Sequence, residues 1–160
     1  MNASILRFLS AVAIIAVTLP TSADADAPAG QYVVTAGGTG NGTVYDTKSK
    51  LTWQQTVSST TYTWADAKTH CAGVGASLVG TGWRLPTIKE LVTIVDLSRA
   101  TTPMIDPNAF PGTPPSASFW SSSPAAGSPS LAWYVNFGGR AYGSANSSYI
   151  TNAVNVRCVR

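Results

Sequence analysis

Few side chains in this sequence could carry out catalysis. The chain contains one histidine, His70, and one glutamate, Glu90. Acid–base or nucleophilic catalysis needs a base beside a second reactive group, and neither a Gly-x-Ser-x-Gly elbow nor a recognisable carboxylate pair is present. His70 has no second histidine to work with, so we interpret it as a surface residue of a helix. We therefore expect no enzymatic activity.

Metal and phosphate binding are also poorly supported by the sequence. Asp106-Pro107-Asn108 offers one carboxylate and one amide, whereas calcium prefers about six to eight oxygen ligands. An Asx turn is the simpler interpretation. The glycine-rich run at 37–42 is followed by no Lys-Ser/Thr pair, which a phosphate-binding loop requires. We expect neither a metal nor another cofactor.

Polysaccharide binding fits the remaining residues best. Sugars are held by aromatic faces and fixed hydrogen-bond donors, and sulfate groups by Arg and Lys. Most of the five tryptophans fall on apolar faces and are expected in the core: Trp53, Trp64, Trp83, Trp120 and Trp133. The candidate ligand-binding residues therefore lie around a late polar loop: Tyr134, Arg140, Tyr142 and Tyr149. The alternative is that these four are ordinary exposed residues.

The segment that positions the rest of the chain is Gly82–Leu91. Its proline disfavours helical geometry at the preceding residue, and Thr87 with Glu90 three residues later forms a capping box. The pattern predicts a helix from about Thr87 to near Leu97. We interpret the segment as a structural corner, in which Arg84 contacts nearby backbone or an Asp rather than a ligand. The residues of this motif are Trp83, Arg84, Pro86, Thr87 and Glu90.

A second helix and several strands are expected around this corner. Thr63 is a suitable N-cap for the earlier helix, whose apolar face includes Cys71. The proline-rich segment 98–118 is predicted to be irregular. Hydrophobic patterns and turn signals predict strands at 32–34, 43–46, 51–55, 119–123, 131–137 and 153–160. This order predicts an α+β domain with two helices packed on a mostly antiparallel sheet.

The N-terminus has the pattern of a secretory signal peptide. A basic residue precedes the apolar segment Phe8–Leu19, which is too short to span a bilayer. Small residues favour cleavage after Ala25, with Ala23 as the second choice. An uncleaved membrane anchor is the alternative. We expect three segments: a signal peptide at 1–25, a flexible lead-in at 26–30 and a single domain at 31–160.

The two cysteines, Cys71 and Cys158, are expected to form a disulfide. An even number of cysteines in an exported chain indicates a bridge, which here would join the first helix to the last strand. Two cysteines so far apart supply neither a zinc cluster nor a C-x-x-C redox pair.

The charge of the mature chain is mildly basic. Cleavage after Ala25 removes one basic and one acidic residue, so the net charge of +3 is unchanged. That balance favours acidic surfaces or polyanions, but it is far from the Lys/Arg density of a nucleic-acid-binding protein. We expect no nucleic-acid partner.

Short motifs along nearly the whole mature chain resemble one bacterial domain family. The most specific are Gly82-Trp83-Arg84-Leu85-Pro86-Thr87 and Val156-Arg157-Cys158-Val159-Arg160. The family is named for the C-terminal domain of the Legionella collagen-like adhesin. The resemblance implies a C-type-lectin-like fold and, for its best-known member, binding of sulfated polysaccharides such as glycosaminoglycans. This chain lacks collagen-like repeats and the Glu-Pro-Asn and Trp-Asn-Asp signatures of calcium-dependent lectins.

Together these features predict an exported, calcium-independent binding module in the periplasm, at the cell surface or outside the cell. Its expected ligand is a polysaccharide, sulfated or acidic, or another surface ligand. The alternative is a structural or protein–protein interaction domain of the envelope without sugar affinity. We expect no membrane span after signal cleavage, and the sequence leaves the oligomeric state open.

Overall fold

A computed structural model describes residues 27–37, 42–73, 77–138 and 144–160. The predicted signal peptide lies outside these ranges. Within them, no helix has both the length and the apolar character needed to cross a membrane. The elements are short and follow one another as β1 (Tyr32–Thr35), β2 (Thr43–Asp46), β3 (Thr52–Gln54), α1 (Trp64–Gly73), α2 (Ile88–Val92), β4 (Ser118–Pro124), β5 (Leu131–Asn136) and β6 (Ser144–Tyr149).

The strands form two antiparallel three-stranded sheets. One has the order β1–β2–β3, with Val44 opposite Trp53, and the other has the order β4–β5–β6, with Phe119 opposite Val135. The predicted α+β class with two helices and antiparallel strands is confirmed, with two sheets in place of one. A C-type-lectin-like fold is compatible with this architecture and stays a prediction.

The C-terminal part differs from the strand prediction in two ways. Ser144–Tyr149, which reads as a polar loop, is a strand that pairs along its whole length with β5. The small polar residues of this strand show no alternation of apolar and polar positions. The strand is stabilised by its hydrogen bonds to β5 and not by burial of its side chains. Conversely, the predicted strand at 153–160 is a series of isolated bridges, from Val154 to Tyr62 and from Val159 to both Trp53 and Arg84.

The β4–β5–β6 sheet lies between two apolar clusters. Phe119 and Val135 belong to one cluster, and Trp120 and Ala132 belong to the other. All four side chains are fully buried. Both faces of β5 are therefore covered in part. The proline-rich segment also contributes to the core, since its Met104, Ile105 and Phe110 are buried.

The two helices begin where the sequence places them. At α1 the Thr63 hydroxyl donates to Asp66 Oδ2 at 2.7 Å. The helix α2 has Thr87 as its N-cap but ends at Val92, several residues earlier than predicted. Its end is closed by Thr93, whose hydroxyl and backbone N–H both donate to the Glu90 carbonyl, at 2.6 and 3.0 Å. This turn leaves Leu97 71 % exposed.

The C-terminal segment is attached to the rest of the fold by a disulfide and a buried guanidinium. Cys71 and Cys158 are bonded, which confirms the predicted pairing. Arg157, 1 % exposed, donates from Nη1 to the Gln54 and Gln55 carbonyls and from Nη2 to the Thr113 hydroxyl. Burial lowers the pKa of Arg157 to about 9. These contacts give Arg157 a structural role.

Candidate functional site

Of the four residues predicted to bind ligand, the structure describes Tyr134 and Tyr149. Arg140 and Tyr142 fall within 139–143, outside the described residues. Tyr149 pairs with Leu131, three residues before Tyr134 along β5. Because side chains alternate across a strand, Tyr134 and Tyr149 lie on opposite faces of the sheet. The structure does not bring these two tyrosines together, and a binding role for the four residues stays a prediction.

The Gly82–Leu91 corner is held by a dense set of polar contacts. Glu90 Oε2 accepts hydrogen bonds from the Thr87 backbone N–H at 2.7 Å and from Arg84 Nη1 at 2.8 Å, while Oε1 accepts from Arg84 Nη2 at 2.6 Å. The bidentate contact with the guanidinium is the main reason that the pKa of Glu90 falls to about 2. Arg84 therefore contacts Glu90, and not the backbone or an Asp as the sequence suggested.

An exposed guanidinium lies beside this corner. Arg160 follows Val159, whose backbone bridges to Arg84, and the Arg160 guanidinium carbon lies 5.6 Å from the centroid of the Trp83 ring. A Cβ at Gly80 would lie 2.6 Å from the same carbon, so the glycine leaves room for the side chain. Arg160 makes no ion pair with a described residue. The arrangement presents a solvent-exposed cation supported on an aromatic ring.

A second surface feature is an open cleft of about 760 Å³ along α1. We call it the α1 cleft. One side of the cleft is formed by residues of α1 that are three or four positions apart. The segment 61–63 before the helix, together with Ser77 and Ala153, forms the rest of the lining. The lining residues are Thr61, Tyr62, Thr63, Asp66, Thr69, His70, Gly73, Ser77 and Ala153.

Tyr62 and His70 form the aromatic part of the α1 cleft. Their rings are stacked, with centroids 4.4 Å apart and an interplanar angle of 26°. The backbone of Tyr62 is fixed by reciprocal hydrogen bonds with Val154, at 2.9 and 3.0 Å. Partial burial lowers the pKa of His70, which favours the neutral imidazole. His70 is thus a half-buried residue of α1 that lies against Tyr62.

The charge of the α1 cleft comes from Asp66. Among the described residues that line it there is one carboxylate and neither Lys nor Arg. The nearest basic residue along the helix, Lys68, places its Nζ 3.1 Å from the centroid of the Trp64 ring. That contact holds the ammonium group on a different part of α1. The α1 cleft is therefore acidic, whereas the surface at Arg160 is basic.

Asp106 has the turn-forming role expected from the sequence. Its Oδ1 accepts hydrogen bonds from the backbone N–H groups of Asn108 and Ala109, at 2.8 and 2.9 Å. This is an Asx turn within the proline-rich segment 98–118. Within the described ranges, His, Cys, Asp and Glu form no group of three or more that could hold a metal ion.

Neither Arg160 nor the α1 cleft is among the ligand-binding residues predicted from the sequence. Weak signals were present for both. Arg160 is a charged residue at the end of the Val156–Arg160 motif, and arginine side chains are mostly exposed. Thr63, Asp66, His70 and Gly73 recur every three or four residues, the spacing of one polar helix face.

These features define a disulfide-bonded α+β domain that presents two polar surfaces of opposite charge. The chain belongs to the Lcl C-terminal domain family, since the model of that family matches residues 42–160. The resemblance inferred from the motifs is thereby confirmed. Membership of this family suggests an adhesin-like module. A search of curated proteins finds none that matches the chain.

Proposed function

We propose that the protein is an exported, adhesin-like module that binds acidic or sulfated polysaccharide without calcium. The observation that carries the proposal is the exposed Arg160 guanidinium, supported on the Trp83 ring and unpaired with any described acid. A guanidinium can donate two parallel hydrogen bonds to a sulfate or carboxylate group. Support by the ring restricts the side chain before binding, which lowers the entropy lost when an anion is bound.

Two further observations support this proposal. The Lcl C-terminal domain family suggests an adhesin-like role, in which contact with an external surface is expected. Disulfides persist mainly in oxidising compartments outside the cytosol. The Cys71–Cys158 disulfide therefore agrees with export through a signal peptide at 1–25. Arg140, which lies outside the described residues, remains a second candidate contact for the same ligand.

Heparin affinity chromatography tests the proposal. The purified protein is expected to bind at low ionic strength and to elute as salt rises, because exposed charge pairs are screened by salt. Retention should be unchanged when a chelator removes calcium. Failure to bind at low salt would refute acidic polysaccharide recognition and favour a structural or protein-interaction role.

Matched charge variants locate the contact. Arg160→Gln is expected to elute at a lower salt concentration than Lys89→Gln, although each removes one exposed positive charge. Arg140→Gln tests the residue predicted from the sequence in the same way. Equal shifts for all three variants would mean that net charge alone controls retention, and the Arg160 assignment would then be wrong.

A further inference from the structure

We propose that the α1 cleft is a separate saccharide-binding site, specific for sugar units that carry hydroxyl or protonated amino groups and selective against sulfated or carboxylated units. The proposal is independent of polysaccharide binding at Arg160. It rests on three properties of the cleft: its aromatic surface, its hydroxyl and carboxylate groups, and the sign of its charge.

The first property is the stacked pair of Tyr62 and His70. A pyranose ring presents an apolar face of C–H groups that packs against an aromatic surface, while its hydroxyl groups remain free to hydrogen-bond at the edges. The 4.4 Å stack and the hydrogen bonds between Tyr62 and Val154 fix this surface before a ligand arrives. A preformed surface reduces the ordering cost of binding.

The second property is the polar edge of the cleft. Asp66 Oδ2 accepts from the Thr63 hydroxyl at 2.7 Å, and Oδ1 accepts no hydrogen bond from a described residue. A carboxylate oxygen with free acceptor capacity binds sugar hydroxyl or ammonium groups through charge-assisted hydrogen bonds. Thr69 lies one helical turn further along, where its hydroxyl donates to the Ala65 carbonyl at 3.3 Å and can still accept.

The third property is the charge, which decides between classes of sugar. Asp66 supplies the negative charge, His70 is neutral, and no cation lines the described part of the cleft. A sulfate or carboxylate group would therefore meet repulsion without a compensating guanidinium or ammonium group. A protonated amino sugar would gain an ion pair with Asp66. The volume, about 760 Å³, lies within the range of small-ligand sites and accommodates a short oligosaccharide.

Nuclear magnetic resonance on the intact protein tests the proposal, because His70 is the single histidine and its ring protons report on the cleft alone. The probes are a glucosamine trisaccharide, the matching glucose trisaccharide and a heparin tetrasaccharide. The two unsulfated probes are expected to shift the His70 ring signals in a saturable manner, with the glucosamine probe binding more tightly. The heparin probe should leave these signals unchanged.

Asp66→Asn provides the matched variant, since asparagine still accepts from the Thr63 hydroxyl and preserves the start of α1. We expect this variant to bind the glucosamine trisaccharide about tenfold more weakly, and the glucose trisaccharide only a few-fold more weakly, because the ion pair is lost and neutral hydrogen bonds remain. Asp96→Asn removes the same charge away from the cleft and should change neither affinity.

Three results would overturn the proposal. These are the absence of a His70 shift with either unsulfated probe at millimolar concentration, a saturable shift with the heparin probe, or equal weakening by the Asp66 and Asp96 variants. Heparin-column retention of the Asp66 variant should match that of Asp96→Asn, which changes the net charge by the same amount. If the protein binds heparin but no saccharide shifts His70, the α1 cleft proposal fails and the proposed function stands. If a saccharide shifts His70 but heparin is not retained, the proposed function fails and the α1 cleft proposal stands.

Discussion

Replacement of Glu90 by Gln measures how much the charge at the Gly82–Leu91 corner stabilises the fold. Glutamine can keep the capping-box hydrogen bond from the Thr87 N–H through its amide oxygen. It cannot keep the bidentate ion pair with Arg84, whose two contacts are 2.6 and 2.8 Å long. The substitution therefore removes the charge and leaves most of the corner geometry in place.

The pKa of Glu90 sets the upper limit of the expected effect. A fall from 4.5 to about 2 on folding corresponds to about 3 kcal/mol of stability at neutral pH. The Arg84 side chain is 46 % exposed, so solvent screening reduces this figure. We expect Glu90→Gln to lower the free energy of unfolding by about 1 to 2 kcal/mol at pH 7.

The direction of the pH dependence follows from the lowered pKa. Because the folded-state pKa of Glu90 lies below its unfolded value, its contribution is complete above about pH 5. The contribution is lost as the pH falls through 4.5 towards 2. Urea unfolding of both proteins between pH 2 and 7 should show a difference that shrinks as the solution becomes more acidic.

Asp66→Asn is the matched control for this experiment. It makes the same carboxylate-to-amide change in the first turn of α1, where the partner is a threonine hydroxyl and not a guanidinium. We expect it to have the smaller effect at pH 7. A Glu90→Gln effect of constant size from pH 2 to 7 would show that lost capping geometry, and not lost charge, is responsible, and our reasoning would be refuted.

Three other substitutions test the packing of the fold. Trp83→Ala should cost about 3 to 5 kcal/mol in thermal or urea unfolding, since the ring is 4 % exposed; a loss below about 1 kcal/mol would contradict its place in the core. Joint replacement of Cys71 and Cys158 by Ser should cost about 4 to 5 kcal/mol in the chain-entropy estimate, because the bridge closes a loop of 87 residues. Arg157→Lys should cost about 2 to 4 kcal/mol, because an ammonium group cannot reach all three acceptors of the guanidinium; unchanged urea stability would show that charge alone suffices.

Features set by local chemistry could be predicted from the sequence. Thr87 and Glu90 stand at the spacing of a capping box, and both of its hydrogen bonds are present. The cysteine pair was predicted from its even number and the expected export. Each of these inferences needs a few neighbouring residues or a simple count, so no knowledge of the tertiary arrangement was required.

Features that depend on distant contacts could not be predicted in the same way. The strand Ser144–Tyr149 exists because β5 supplies its hydrogen bonds, and its own residues favour a loop. The Tyr62–His70 stack joins the strand-like segment before α1 to the far end of that helix. Likewise, Arg160 meets Trp83 only after the C-terminal segment has returned alongside the corner. Periodicity predicts which face of its own helix or strand a residue occupies. It does not predict which other element will pack against that face.

The disulfide links the two candidate surfaces physically. Cys71 directly follows His70 of the α1 cleft, and Cys158 lies two residues before Arg160. The bridge therefore fixes the backbone next to one key residue of each surface. If both surfaces bind saccharides, reduction of this bond should weaken both interactions even where the domain stays folded, whereas Arg160→Gln and Asp66→Asn should each weaken one. That contrast distinguishes two separate sites on a shared support from a single continuous binding surface, because a continuous surface would respond to both substitutions with every ligand.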